Sequence, residues 1–451
     1  MEQTNRSENK IWDIIVVGGG AAGLMAAIQA ARAGASVLIL EHMEQPGKKI
    51  LMTGNGKCNF SNQMLQEIND WQDEQTCEEY YHGARPAFVM SALKKFNVQA
   101  TLDFFGDLGI VPVLRKGGYY PSCGQASAVL SVMLMECERL NICIQCNIGI
   151  RSIEQAKKAC KNSSKKEQVF IFNTKSGSFF SRKCILATGG RSYKKTGSDG
   201  SGFLYVERLG HHLKDLVPAL VPLQSDLPFF KKTAGIRTDI TAKIYVNGKM
   251  KDEQSGELQL TDYGISGICI FQLSHLASRA FLRETKDHAA DVAVELDFVP
   301  WMSDAEVLDF LMNRFHHPNA KNKTAAKCLI GWLADRLGEA LLEEAGIEPT
   351  QLSMTLTQQQ CMAFAKTCKH FFVPIHATRS FEQAQVSAGG IDTSEVFADS
   401  MESRLVPGLY FAGEMLDVDG ICGGFNLQWA WSSGAIAGSH AAAAVKGSAT
   451  L

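Results

Sequence analysis

Gly18, Gly20 and Gly23 stand at G-x-G-x-x-G spacing, directly after the apolar run Ile14-Ile15-Val16-Val17 and at the start of an alanine-rich stretch. Residues of these types in this order can bind a pyrophosphate. The first glycine allows a tight turn, the second lets backbone approach the ligand, and the third lets a helix pack on the strand. Negative charge would rest on the helix N-terminus, where unpaired N–H groups and the helix dipole favour it. Glu41 closes a second strand, Ser36 to Leu40, where a carboxylate can accept hydrogen bonds from both hydroxyls of an adenosine ribose. A 2′-phosphate there would be repelled, which points to FAD or NAD and away from NADP. Glycines alone match any tight turn between a strand and a helix; strand, turn, small-residue helix, strand and acid in register is far more specific.

Three further stretches carry related chemistry. GKKILMTGNGKCNFSN, Gly47 to Asn62, places Lys49, Thr53, Gly54 and Asn59 where a loop can reach along a dinucleotide, with N–H groups and lysine suited to phosphate. CILATGG, Cys184 to Gly190, is an apolar strand ending in Thr188 and Gly189, and ligands bind open α/β sheets at such strand ends. LYFAGE, Leu409 to Glu414, ends the same way in Gly413 and Glu414, and Gly423, Gly424 and Asn426 then open a small-residue helix. With Ala22 in the first turn of the first helix, these form the candidate cofactor contacts. Each taken singly also reads as a solvated or packed loop; their succession argues for one ligand. Cys58 reads as a spectator thiol, since no partner cysteine is near.

The elements that must hold these residues alternate in type. Residues 64 to 116 read as mostly helical, and an amphipathic helix follows GGYYPSCGQ, with Ser122 or Ser127 as its cap. Two strands, near 142–150 and 168–173, flank the lysine-rich run KKACKNSSKKEQ, read as an exposed hairpin turn. From Arg191 the chain changes character. Asn247-Gly248 is a hairpin turn signal, and Ser303 with Glu306 opens a long helical stretch in capping-box register. The expected organisation is a discontinuous domain, 1–190 with 380–451, interrupted by a substrate domain at 191–379. That insert is β-rich over 205–300 and 350–379 and helical over about 301–349.

Bulk composition excludes several classes. The 451 residues carry 45 basic and 47 acidic side chains, a net charge of −2, so no global field favours nucleic acid or an anionic membrane. No apolar run long enough to span a bilayer occurs and the first residues are polar, so a cytoplasmic, non-membrane protein is expected. Thirteen irregularly spaced cysteines do not form a secreted disulfide framework. Cys143-Ile-Gln-Cys146 lies in an alternating strand that points its two thiols to opposite faces, and without a second such pair no metal site is expected.

Together, GKKILMTGNGKCNFSN, ATGGRSYKKTGSDGSG, TDYGISG, SAGGI and GLYFAGEMLDVDGICGGFNLQWAWSSG resemble the YhiN-like (BaiN-like) family of FAD flavoproteins, which includes aminoacetone oxidases and a 3-dehydro-bile acid Δ4,6-reductase. The resemblance spans essentially the whole chain. It implies an α/β fold: a glutathione-reductase-type, Rossmann-like FAD domain made of both chain ends, with an inserted β-barrel-like and helical substrate domain. Where the family pattern has Ser-Tyr-Pro and Gly-Asp-Gly, this chain has Ser192-Tyr193-Lys194 and Gly200-Ser201-Gly202.

The leading expectation is an FAD-dependent reductase of activated C=C bonds in a steroid-like enone. No second glycine fingerprint with its own strands is visible, so NAD(P)H would dock transiently as electron donor. Such a reaction needs a proton donor and a hydrogen bond to the enolate oxygen. Tyr193 and Tyr263, in glycine-rich loops, are the candidates, each equally readable as a packing tyrosine; His376 is a weaker one. The alternative is an aminoacetone-type amine oxidase that releases peroxide. A flavin-bearing RNA-binding protein is a third class, disfavoured by the balanced charge. The partner expected is a small-molecule substrate, and the oligomeric state is left open.

Overall fold

The computed structural model describes residues 10–69, 74–159, 166–283 and 290–448. Its chain divides into two compact units, 1–216 with 386–451, and 217–385. The division runs at 216/217 and 385/386 instead of 190/191 and 379/380. The helix Ser201–Arg208 accounts for most of the difference, because it buries Phe203 and Val206 in the first core.

In the first unit the strand Ile11–Val17, fully apolar from Ile14 onward, pairs in parallel with Val37–Leu40 on one side and Gly177–Leu186 on the other. Cys143–Gln145 extends the sheet beyond Val37–Leu40, and Leu409–Phe411 joins the C-terminal half of Gly177–Leu186. The N-terminal half of that long strand instead meets Lys166–Thr174 in an antiparallel hairpin, and Ile150–Ala159 follows. The tip of this hairpin, which holds much of the lysine-rich run, lies outside the described residues. The segment 142–150, expected as one strand of the hairpin, divides: Cys143–Gln145 joins the parallel sheet, and the hairpin strand starts only at Ile150. The helix Ala126–Arg139 has Gln125 as its cap residue and no side-chain cap hydrogen bond, so neither Ser122 nor Ser127 serves.

The helix Ala21–Arg32 follows the first strand. One face packs on the sheet: a Cβ on Gly23 would sit 1.9 Å from the Gly18 carbonyl oxygen. The opposite face carries the C-terminal helix, Phe425–Ser448, at equally short range. A Cβ on Gly434 would come within 2.5 Å of the Ala22 carbonyl oxygen, and one on Gly438 within 2.1 Å of that of Ala26. Both faces of the helix are thin, since it is sandwiched.

The second unit is an antiparallel sheet in the order 371–375, 292–297, 237–246, 249–261, 264–267, 223–224, 377–378. Its first and last strands, Phe371–Ile375 and Ala377–Thr378, are successive pieces of one chain segment broken only at His376. The sheet therefore curls closed, as a barrel does. Asn247 and Gly248 both adopt positive φ, 51° and 72°, the requirement of a two-residue hairpin turn. Against the sheet lie Ile268–Leu282 and the helical stretch that begins at Asp304, where Ser303 and Glu306 form the expected capping box. Residues 350–379, expected to be β-rich, contain the helix Gln358–Lys369. A second capping box, Thr357 with Gln360, starts it, and its apolar face buries Cys361, Phe364, Ala365 and Cys368.

Barrel and helices are fastened by two consecutive residues. Lys369 Nζ reaches Asp297 Oδ2 at 2.7 Å and the Val299 carbonyl at 3.3 Å. His370 meets Glu295 Oε1 at 2.6 Å through Nδ1 and Asp304 Oδ2 at 3.2 Å through Nε2. The Glu295 hydrogen bond, followed by Asp304, raises the His370 pKa above its usual 6.5 against the opposing effect of burial. A raised folded-state pKa stabilises the fold fully below the unfolded value, and that contribution disappears as pH rises through the folded value. In a pH series of melting temperatures, the gap between wild type and His370→Gln should be widest near pH 6 and shrink toward pH 9.

Candidate functional site

The three fingerprint glycines have different local causes. Gly18 has φ +99° and a Cβ there would lie 2.4 Å from the Ala187 carbonyl oxygen; Gly23 is required by its contact with Gly18. Both are needed by the protein's own packing. Gly20 is not: its φ is −79°, open to any residue, and a Cβ would meet nothing within 4 Å. It caps the first helix with no side-chain hydrogen bond to the free N–H groups. A missing side chain that the fold does not require, over an uncapped helix N-terminus, fits a pyrophosphate.

Glu41 is buried, and its carboxylate accepts from the Gly19 N–H at 2.7 Å and the Met43 N–H at 2.8 Å. Burial pushes its pKa up, but hydrogen bonds from His42, Met43 and Gly19 outweigh that and hold it below the usual carboxylate range. The group is thus charged and fixed in direction, as a ribose acceptor must be. Ala22 is committed to packing: its Cβ faces Gly413, where any side chain would approach within 2.8 Å.

A buried polar lock joins four segments. Glu414 Oε2 meets Lys49 Nζ at 2.6 Å, while Oε1 accepts from Ser192 Oγ at 2.8 Å, the Ser387 N–H at 2.9 Å and Ser387 Oγ at 3.1 Å. Lys49 also donates to Ser192 Oγ at 2.7 Å. Burial alone would raise the Glu414 pKa, but Lys49 and these donors bring it below the usual range. Gly190 has no room for a side chain beside Ser387 and Glu414. Gly413 is held by Ser433 Oγ at its N–H and by Trp429 Nε1 at its carbonyl. Thr188 turns its hydroxyl to the Met415 sulfur at 3.1 Å and fills the notch at Gly202. Gly189 has φ +76° and abuts Ser198.

The Gly47–Asn62 loop meets the C-terminal glycines. Asn62 Nδ2 donates to the Gly423 carbonyl at 2.7 Å, Ser61 Oγ to Gln428 Oε1 at 2.7 Å, and Trp431 Nε1 to the Phe60 carbonyl at 2.9 Å. A Cβ on Gly424 would strike the Ser61 carbonyl at 2.6 Å. Asn59 Oδ1 lies 2.9 Å from that same Cβ position, and among the described residues it is a buried acceptor with no hydrogen-bond partner. An orphaned acceptor beside a glycine turn fits a donor from a bound cofactor. Gly54 takes φ +56° and packs on the Asn59 N–H, and Thr53 donates to the Ile50 carbonyl. Asn426 points back to its own turn, accepting from the Gly420 N–H and donating to the Gly420 carbonyl. Its side chain shapes the loop.

Tyr193 adopts φ 55°, ψ 58°, a left-handed conformation that costs an aromatic residue roughly 1–3 kcal/mol; its carbonyl accepts from Thr196 N and Oγ1. Tyr263 belongs to the second unit, in the turn between Lys249–Thr261 and Gly264–Gly267, with the Arg379 guanidinium 4.4 Å from its ring centre. His376, also there, pairs with Asp226 at 3.4 Å. Cys58 is buried and burial pushes its thiol to about 12, so it stays protonated; burial also raises Cys143 and Cys146. Sequence reasoning missed Ser192 and Ser387, which carry no motif of their own, and the pair His82–Asp419 at 3.3 Å, whose partners are far apart in the chain. Ser403, His211 and Glu395 have the distances of a hydrolytic triad, 2.8 and 2.9 Å. However, Ser403 and His211 are both buried, and the serine oxygen already accepts from two backbone N–H groups.

A family model described as HI0933-like protein Rossmann domain matches residues 12–440. The chain belongs to this family. It is 38% identical to the 3-dehydro-bile acid delta(4,6)-reductase of Clostridium scindens, over 95% of this chain and 98% of that one. It is 29% identical to a ribosomal RNA dihydrouridine synthase of Escherichia coli, over 94% and 96% respectively. A solved 3-ketosteroid delta1-dehydrogenase from Sterolibacterium denitrificans shares the fold at 12% identity, with a TM-score of 0.50 over 96% of this chain and all of that one. The protein is accordingly an FAD-dependent oxidoreductase. Among the described residues no helix is long and apolar enough to cross a membrane.

Gly20→Val separates ligand from fold. The apoprotein should melt within about 1–2 °C of wild type, since the added side chain meets only open space, while FAD affinity measured by fluorescence titration should fall at least about 100-fold, a loss of roughly 2.7 kcal/mol. A large fall in apoprotein stability would show that Gly20 serves the fold. Lys49→Met takes the cation from the half-buried Glu414 and should destabilise by about 1.5–3 kcal/mol, read from denaturant unfolding.

Proposed function

We propose that this flavoenzyme reduces a C=C bond conjugated to a carbonyl in a steroid-like 3-oxo acid, with NAD(P)H as the transient electron donor. The observation that carries the substrate class is the 38% identity, sustained over 95% of the chain, to a reductase named for a 3-dehydro-bile acid. FAD, when bound, supplies hydride transfer to carbon.

The chain's own residues do the rest. The N-terminus of Ala21–Arg32, opened by Gly20, binds the pyrophosphate, and Glu41 takes the adenosine ribose. Lys49, Thr53, Gly54 and Asn59, with Thr188, Gly189, Gly413 and Glu414, line the remainder of the cofactor. In this reading Glu414 acts with its carboxylate already balanced by Lys49, which prevents a bare negative charge beside an electron-rich ring. The turn Gly423-Gly424 and the N-terminus of Phe425–Ser448 offer N–H groups to charge that accumulates on reduction. Tyr193 and Tyr263 are the proposed hydroxyl donors, one to the enolate oxygen and one as the acid that protonates the α-carbon.

A second reading has an observation in its favour, the similarity to ribosomal RNA dihydrouridine synthases. Making a dihydrouridine also saturates a C=C bond conjugated to a carbonyl, so the chemistry is shared and the substrate differs. The net charge of −2 gives a polyanion no general attraction. Anaerobically, the NADH-reduced holoenzyme should reoxidise on adding a 3-oxo-Δ4 steroid acid and form the saturated ketone. Reoxidation by ribosomal RNA and not by the steroid would transfer the assignment to uridine. Fast reaction with oxygen, an amine substrate and stoichiometric peroxide would instead establish the oxidase.

A further inference from the structure

Arg379, in the second unit, is held in one orientation by uncharged partners. Its backbone N–H bonds to the Pro222 carbonyl at 3.0 Å, which anchors it beside the strand Leu223–Gln224. Its guanidinium lies over the Tyr263 ring, 4.4 Å from the centroid, and Nε donates to Gln383 Oε1. With the Gln224 amide turned to donate to the Thr378 carbonyl, its oxygen accepts from Arg379 Nη1 at 3.2 Å. Two neutral amides and an aromatic face thus fix the plane of the group. A guanidinium carries five N–H donors, and these contacts use two.

What the site lacks is a counter-charge. Asp226, Asp262 and Glu382 are close in sequence, yet among the described residues no carboxylate pairs with Arg379; Asp226 is taken by His376. The guanidinium is open to solvent on its free side, since its bond to Gln383 is an exposed one, and its remaining edge presents parallel donors that match a carboxylate bidentately. No lysine contributes to the cluster, so one positive charge stands among neutral partners. That composition suits a monoanion better than a phosphate dianion. We propose that Arg379, held on Tyr263 and between Gln224 and Gln383, is a specificity residue that binds the carboxylate of the substrate. The inference rests on the reductase reading above and adds to it the charged end by which the substrate is selected.

The test compares a 3-oxo-Δ4 steroid carboxylic acid with its methyl ester in FAD-loaded full-length enzyme. For wild type, the acid should have the lower KM. Arg379→Gln should raise KM for the acid at least about 10-fold and leave KM for the ester and for NADH within about 2-fold. Arg379→Lys keeps the charge but loses the fork and the stacking, and should fall between. Equal losses for acid and ester, or a shift confined to the nicotinamide, would overturn the proposal. If Arg379→Gln does not fold with FAD, the acid-to-ester ratio of Arg379→Lys decides alone. Should wild type turn over neither compound, the reductase reading fails separately. The subsite is then judged by calorimetric binding of acid against ester to wild type and Arg379→Lys, where equal affinities reject it.

Discussion

The cofactor-binding half depends on how closely two helices can approach. The C-terminal helix rests on the carbonyls of Ala22 and Ala26 because Gly434 and Gly438 present no side chain there. On its far side the first helix rests on the carbonyl of Gly18 through Gly23. Its N-terminus is therefore positioned by a stack only one backbone thick on either face, and Gly413 meets Ala22 in the same layer. A methyl group at any of these contacts would move the helix start, and with it the free N–H groups of its first turn. Close packing of this kind transmits displacement instead of absorbing it. The two ends of the chain must both arrive before the site exists.

The lock around Glu414 has a different physical character. An ion pair largely removed from water seldom adds net stability, because desolvation offsets the attraction. Its contribution here is geometric. One carboxylate engages Lys49 from the short helix Lys48–Met52, Ser192 from the loop after Gly190, and Ser387 from the strand Val386–Ile391. Four segments distant in sequence acquire one arrangement, and a shift in any of them would leave a buried charge or donor unpaired. The pair fixes position, while apolar packing supplies the stability.

How much of this was legible in the chain follows from the range of each interaction. Strand, turn and helix around Gly18–Gly23 are local, and their residues announce them; so are the Ser303–Glu306 box and the Asn247-Gly248 turn. The helix Gln358–Lys369 falls in a stretch that reads as β-rich although Thr357 and Gln360 mark its start, and the strand Phe371–Ile375 follows it directly. Asn426 shows a related effect. An amide after two glycines suits a ligand, but the nearer acceptors and donors of Gly420 claim it. Ser192, Ser387 and Arg379 gave no warning, since each acquires meaning only from partners brought near by the fold. The difference between Gly20 and its neighbours was also invisible: three glycines in one motif look alike until the space around each is measured.

That distinction bears on where specificity resides. Activated C=C reduction asks the same of a flavoprotein whether the conjugated carbonyl belongs to a steroid or to a pyrimidine, and relatives named for both types of substrate align with this chain along almost its full length. The residues shared by any such reaction are those that seat the cofactor, and here they are the ones with the clearest motifs. A substrate-selecting group need satisfy no such pattern, because folds host many functions through local changes at a site. Arg379 fits that description: its surroundings are neutral amides and one aromatic ring, which set direction without cancelling charge. An uncancelled charge held in a fixed plane discriminates more sharply than a flexible one, since a ligand lacking the matching group leaves the donors unpaired. The residues with fingerprint motifs lie in the first unit and Arg379 lies in the second.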